Sequence, residues 1–141
     1  MIILGVVLVL LLASSGVYLL LFHNRIDTSF ATVATLRFSV RDDTTGIFIN
    51  HEFPITDNGD IVELGGIFRG RATQDSPACG FSTNVSITMY GGGRSITFCL
   101  ALDGCPIIRI NDSDRFISIS NDQRAALDGI FSRFGFAFPA I

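Results

Sequence analysis

Phe81-Ser-Thr-Asn-Val-Ser-Ile-Thr-Met-Tyr90 and Ser95-Ile-Thr-Phe-Cys-Leu-Ala-Leu102 flank the short segment Gly91-Gly-Gly-Arg94. In the first run Phe81, Val85, Ile87 and Met89 alternate with Ser82, Asn84, Ser86 and Thr88. In the second, Ile96, Phe98, Leu100 and Leu102 alternate with Ser95, Thr97, Cys99 and Ala101. A period of two marks strands that bury one face. Gly92-Gly93 accepts the positive φ angles that a two-residue hairpin turn requires. That turn sets a register with Met89 opposite Ile96, Ile87 opposite Phe98 and Val85 opposite Leu100. Both apolar rows then share one side of a sheet, and Ser86, Thr88, Thr97 and Cys99 make the other side a flat, uncharged surface.

The flanking sequence extends this sheet. Leu36, Phe38 and Val40 alternate with Arg37, Ser39 and Arg41. Asp42-Asp43-Thr44-Thr45-Gly46 has turn chemistry, and Ile47 to Phe53 is extended again before Pro54, which predicts a second hairpin. Thr56 or Asp57 caps an expected helix with Ile61, Leu64, Ile67 and Phe68 on one face, although Gly65 and Gly66 each cost about 1 kcal/mol there. Arg69 to Pro77 reads as loop. Ile107–Ile110 and Arg115–Ile119 are two further short strands joined by a polar turn. A last helix starts at Ser120 or Asn121, with Gln123 placed to complete a capping box, carries Leu127, Ile130, Phe131 and Phe134 on one face, and stops at Gly135.

Leu64-Gly-Gly-Ile-Phe68 and Leu127-Asp-Gly-Ile-Phe131 match in four of five residues, and each follows a strand ending in isoleucine and a capping residue. Two helices on one sheet need the same contact face, with a small residue where helix and strand approach closely; internal duplication is the alternative. Either origin predicts an α+β two-layer sandwich, a mainly antiparallel sheet of five or six strands with two helices on one face.

Ahead of this domain, Ile2 to Phe22 is an apolar run without a charge. At about 1.5 Å per helical residue it reaches about 30 Å, the thickness of the hydrocarbon core, and a helix satisfies its own backbone groups there. The expected organisation is a transmembrane anchor over residues 1–23, a stem over 24–29 and a globular domain over 30–141. A cleavable signal opens with a basic stretch and has a shorter apolar centre, whereas only Met1 precedes this run. Cleavage near Ala31-Thr-Val-Ala34 would leave a secreted domain and is the lesser reading, because that site lies about nine residues past the run, farther than is usual. Orientation is argued both ways. Arg25, Arg37 and Arg41 follow the run and favour a cytoplasmic domain, while the cysteines favour an extracytoplasmic one.

Removing the run leaves about 119 residues, enough for one domain with a real core and too few for two. The net charge is −3 and all ten basic residues are scattered arginines, so no basic field exists to hold phosphates, and nucleic acid is not an expected partner.

Counting out from the Gly92-Gly93 turn places position 79 opposite 106, one residue from Cys105. A glycine bulge at Gly104 in the second strand is expected to bring Cys79 against Cys105 as a disulfide. Closing that loop adds on the order of 3 kcal/mol by chain entropy and indicates an oxidising compartment outside the cytoplasm. Cys99 is left as a single thiol. Asn84-Val-Ser86 and Asn111-Asp-Ser113 fit the glycosylation triplet, which matters only in a eukaryotic secretory pathway.

No motif points to catalysis or to a cofactor. His23 and His51 are the only histidines and stand far from any close ligand pair, so no metal site is expected. Pairing of His51 with a cysteine nucleophile has no supporting local sequence. The Gly91–Arg94 cluster joins strands and opens no helix, as a phosphate loop must, and Asn111, Asp112 and Asp114 lack the glycine and glutamate of a calcium loop.

Two surfaces are candidates for a protein partner. One is the polar hairpin face with Ser86, Thr88 and Thr97. The other is the tail Phe134 to Pro139, where Phe136 and Phe138 either close the core or form an apolar patch. The expected function is that of a single-pass membrane protein, held in the lipid bilayer by residues 2–22, presenting a small non-catalytic domain for protein binding or sensing. A tethered thiol or hydrolytic enzyme using Cys99 or a nearby serine is the alternative.

Overall fold

A computed structural model describes residues 24–74 and 77–136. The apolar run with its expected anchor lies outside the described residues, as does Phe138. Among the described residues no helix is long and apolar enough to cross a membrane.

The fold is α+β. Seven strands, β1 (Val33–Arg41), β2 (Phe48–Ile55), β3 (Thr73–Gln74), β4 (Phe81–Gly91), β5 (Arg94–Ala101), β6 (Ile107–Ile110) and β7 (Arg115–Ser118), form one antiparallel sheet in the order β2-β1-β4-β5-β6-β7-β3. Among the described residues the helices are α1 (Asn58–Phe68) and α2 (Asn121–Arg133). The sheet is wider than the five or six strands expected, because β3 lies in the segment read as loop. It has only two residues, both exposed, and pairs Thr73 with Phe116, so no alternation announces it.

The central hairpin has the expected turn, with Gly92 and Gly93 at φ of 55° and 73°, and the expected pairs Met89 with Ile96 and Ile87 with Phe98. At the first hairpin, Asp42 Oδ1 accepts the Thr44 and Thr45 amides and closes the turn. Pro54 does not end β2 but sits within it opposite Thr35, which is tolerated because β2 is an edge strand with no further ladder to supply.

Both helices begin on the residues that can cap them. Asp57 accepts the Asp60 amide, and Ser120 with Gln123 forms a full capping box. Ile61, Leu64, Ile67 and Phe68 of α1 and Leu127, Ile130 and Phe131 of α2 join Leu36, Phe38, Ile87, Phe98 and Ile108 in one buried core, so both helices lie on the same side of the sheet. Phe68 stacks on Phe98 with ring centroids 4.0 Å apart, a contact that contributes about 1 kcal/mol beyond the area it buries. Gln123 Nε2 donates to the Ile67 carbonyl and Arg133 pairs with Asp60, tying one helix to the other.

Three local expectations give way to tertiary structure. Residues 24–28, read as stem, are fastened into the domain: Ile26 is buried, its amide donates to the Gly70 carbonyl, the Ala72 amide donates to Asn24, and the Thr28 hydroxyl donates to the Gly65 carbonyl. Leu102, expected in the core row, is exposed because β5 stops at Ala101. The β4–β5 register slips between Ser86, opposite Cys99, and Phe81, opposite Ala101. That slip adds an odd number of residues to β4 and so turns Phe81 away from the row of Val85, Ile87 and Met89. The irregularity is in the first strand, not at Gly104 in the second.

Candidate functional site

Among the described residues, the face of the sheet opposite α1 and α2 divides into a covered half and an open half. The covered half is made by the displaced Phe81. Its ring packs against Phe116 at 5.3 Å, and the Arg109 guanidinium lies 5.7 Å from its centre. Cys99, Ala101 and Phe116 are buried there, apart from the main core. Alternation alone assigned Cys99 to a solvated polar surface. The signal that could have placed it is the set Phe81, Arg109 and Phe116, bulky residues on the same side of neighbouring strands.

The open half is a shallow hollow of about 400 Å³. Thr35, Arg37 and Glu52 from the first hairpin form one wall, and Ser86, Thr88, Tyr90, Ser95 and Thr97 from the second form the rest. Strand alternation places these side chains on one side, and the ladder fixes their spacing: Arg37 faces Glu52 across β1–β2, and Thr88 faces Thr97 across β4–β5. Their hydroxyls are 3.0 Å apart, and the Arg37 guanidinium forms an ion pair with Glu52. Both members of that ion pair are about half exposed, so its net contribution to stability is small. Tyr90 adds a partly exposed ring. The hollow thus offers hydroxyls, one aromatic ring and a balanced ion pair, which suits a polar, uncharged partner surface.

Of the residues singled out in the sequence, Ser86, Thr88 and Thr97 come together in this hollow. Phe136 does not join them. It lies on the helix side, stacked on Phe38 at 4.3 Å, where it closes the core. Thr35, Arg37 and Glu52 were not anticipated as members, because their approach to the central hairpin depends on β1 pairing with β4 across a long connection; Tyr90 and Ser95, a facing pair of that hairpin on the same side as Thr88 and Thr97, follow from its alternation and were passed over.

Cys79 and Cys105 form the expected disulfide, with Cα atoms 6.0 Å apart. Gly80 and Leu102 are joined by a hydrogen bond, so Cys79 arrives beside Asp103. Gly104, at φ 73°, then turns the chain to bring Cys105 back. Asp103 accepts the Gly80 and Cys105 amides; the Gly80 bond above all holds its carboxyl below the usual aspartate range. Cys79, Asp103 and Cys105 are the one group of metal-ligating side chains clustered among the described residues, but the two sulfurs are bonded to each other and have no thiolate to offer.

Cys99 is 1% exposed, and burial pushes its thiol above the usual value, with Arg109 acting in the opposite sense. His51 lies on β2 with its ring against Phe38 on the helix side, while Cys99 lies on β5 on the other side, with β1 and β4 between the two strands. The geometry therefore brings together no cysteine–histidine pair from these two residues. No family model matches the chain, nor does any curated protein or solved structure.

Proposed function

We propose that this chain is a single-pass membrane protein whose apolar run, residues 2–22, holds a non-catalytic binding domain at the bilayer, with the helix-free face of the sheet presented to a protein partner. The observation that carries the binding reading is the half-open sheet face. Phe81 and Phe116 cover one half, and the hollow around Thr88 and Thr97 is left uncovered and polar. Within it Thr88 is paired with Thr97 and Arg37 with Glu52, which fits recognition rather than catalysis. The thiol of Cys99, buried on the covered half, is pushed above its usual value by that burial, which disfavours the reactive thiolate.

The Cys79–Cys105 bridge supports an extracytoplasmic domain. The opposing argument from basic residues is weakened by Arg37, whose position is accounted for by its ion pair with Glu52. The burial of Ile26 and Thr28 supports a short, fixed connection between anchor and domain.

Photo-cross-linking from the hollow tests the reading. A benzophenone residue at Ser95, in the full chain in its native membrane, should give one discrete protein adduct that Thr88→Arg abolishes. The same probe at Asp122, on the helix side, should give none. Equal yields from Ser95 and Asp122, or an adduct indifferent to Thr88→Arg, would contradict it.

A further inference from the structure

Arginines that stand far apart in the sequence are gathered by the fold. The Ile26 amide donates to the Gly70 carbonyl and the Ala72 amide to that of Asn24, which sets Arg25 directly opposite Arg71 as a non-hydrogen-bonded antiparallel pair. Such a pair brings Cα atoms to about 4.5 Å and its side chains closest together. Ile26 and Ala72 are buried, so alternation turns both arginines outward, where they are exposed. Arg69, the C-terminal cap of α1, lines a surface hollow of about 470 Å³ together with Arg25, Asp27 and Ser29.

Like charges directly opposed destabilise a strand pair. Among the described residues, none of Arg25, Arg69 and Arg71 forms an ion pair that would offset this. Asp27, the acid in the hollow, is already engaged: its carboxylate accepts the Ser29 amide and hydroxyl and pairs with Arg94. Three positive charges therefore meet without a counter-charge from the described residues, two of them face to face. A phosphodiester spreads its charge over two oxygens, and a guanidinium binds such oxygens bidentately. One phosphate between Arg25 and Arg71 turns their repulsion into attraction.

Position selects the source of that phosphate. Arg25 stands three residues after Phe22, the last of the apolar run, and three residues extend at most about 10 Å. Ile26 is built into the core, so the cluster cannot swing farther from the end of the run. The headgroup layer outside the hydrocarbon is about 5 to 8 Å deep on each side. We propose that Arg25, Arg69 and Arg71 form a docking site for the phosphate of an anionic phospholipid headgroup, which seats the domain on the bilayer surface. The site rests on the reading of residues 2–22 as an anchor, and it shares no residue with the hollow around Thr88 and Thr97.

The test uses the full chain in nanodiscs of phosphatidylcholine, and compares its hold on spin-labelled phosphatidylglycerol with that on spin-labelled phosphatidylcholine. The native chain should hold the anionic lipid about fivefold more strongly, and the double variant Arg25→Gln with Arg71→Gln should hold the two lipids equally. Arg133→Gln, which removes the same kind of charge from an ion pair with Asp60 at the other end of α1, should keep the preference. Inorganic phosphate, compared with chloride at equal ionic strength, should not displace the lipid. Slow alkylation of buried Cys99 confirms that each variant is folded. A chain that elutes with the discs yet holds both lipids equally, loses its preference on Arg133→Gln, or releases the lipid to inorganic phosphate would overturn the proposal and leave the anchor standing. A chain that elutes apart from the discs would overturn both.

Discussion

The carbonyl oxygen of Phe30 occupies the space in which a side chain at Gly91 would begin: a Cβ at residue 91 would stand 1.9 Å from it. The Thr32 amide donates to the neighbouring Tyr90 carbonyl, and the Arg94 guanidinium lies 4.3 Å over the Phe30 ring. The segment around Phe30 and Thr32 is thereby pressed onto the turn end of the central hairpin. Gly91 is required there for close approach rather than for a positive φ.

Gly91→Ala should therefore destabilise the domain by about 3 kcal/mol, since backbone rather than a flexible side-chain end must move. Denaturant unfolding of the domain measures it. A loss below about 0.5 kcal/mol would show that residues 28–32 do not pack as described.

Gly66 and Gly129, the glycines shared by the two matching helix segments, behave oppositely. Neither has any atom within 4 Å of a prospective Cβ, so close helix–sheet approach does not explain them, contrary to the expectation from sequence. Gly65, which does meet the Thr28 hydroxyl at 3.3 Å, is matched by Asp128. Gly66→Ala and Gly129→Ala should each stabilise the domain by about 0.5 to 1 kcal/mol, read as a raised melting temperature.

The two outcomes illustrate how far the sequence could be read. Val85, Ile87, Met89, Phe98 and Leu100 entered the core as alternation required, and the Gly92–Gly93 turn fixed the Met89–Ile96 pair, because both depend on neighbours close in the chain. The capping box at Ser120 and Gln123 is equally local. Phe81 was misplaced because a strand irregularity leaves no compositional mark, yet it decides which half of the polar face stays open. The hollow was half visible for the same reason. Thr88 and Thr97 share a hairpin, whereas Arg37 and Glu52 join them only through the β1–β4 pairing. The disulfide partners were correct although the strand carrying the irregularity was not.

Thiol counting separates the cysteines. The native protein should take up no alkylating agent on the time scale at which an exposed thiol is fully labelled. Denaturation without reductant should expose one site, Cys99, and denaturation with reductant all three. Mass spectrometry reads each step. Rapid native labelling of Cys99, rising below neutral pH as for a depressed thiol, would favour the enzymatic alternative.

Asp103 gives a pH signature. Its carboxyl is held below the usual aspartate range by the Gly80 amide. A depressed folded value means that the ionised form is favoured by folding, so the stabilisation is complete above about pH 5 and is lost as the pH falls through the folded value. Asp103→Asn should accordingly be less stable than the parent at pH 7, with the difference closing in acid. Urea midpoints across that range check it. A gap that widens on acidification would contradict the assignment.

The central claim is that residues 2–22 anchor the folded domain in lipid. Extraction of native membranes with alkaline carbonate tests it most directly. The account predicts that the full-length chain, identified by its intact Met1 end, stays with the lipid pellet and is released only by detergent. Its quantitative appearance in the carbonate supernatant as a soluble protein would contradict the account.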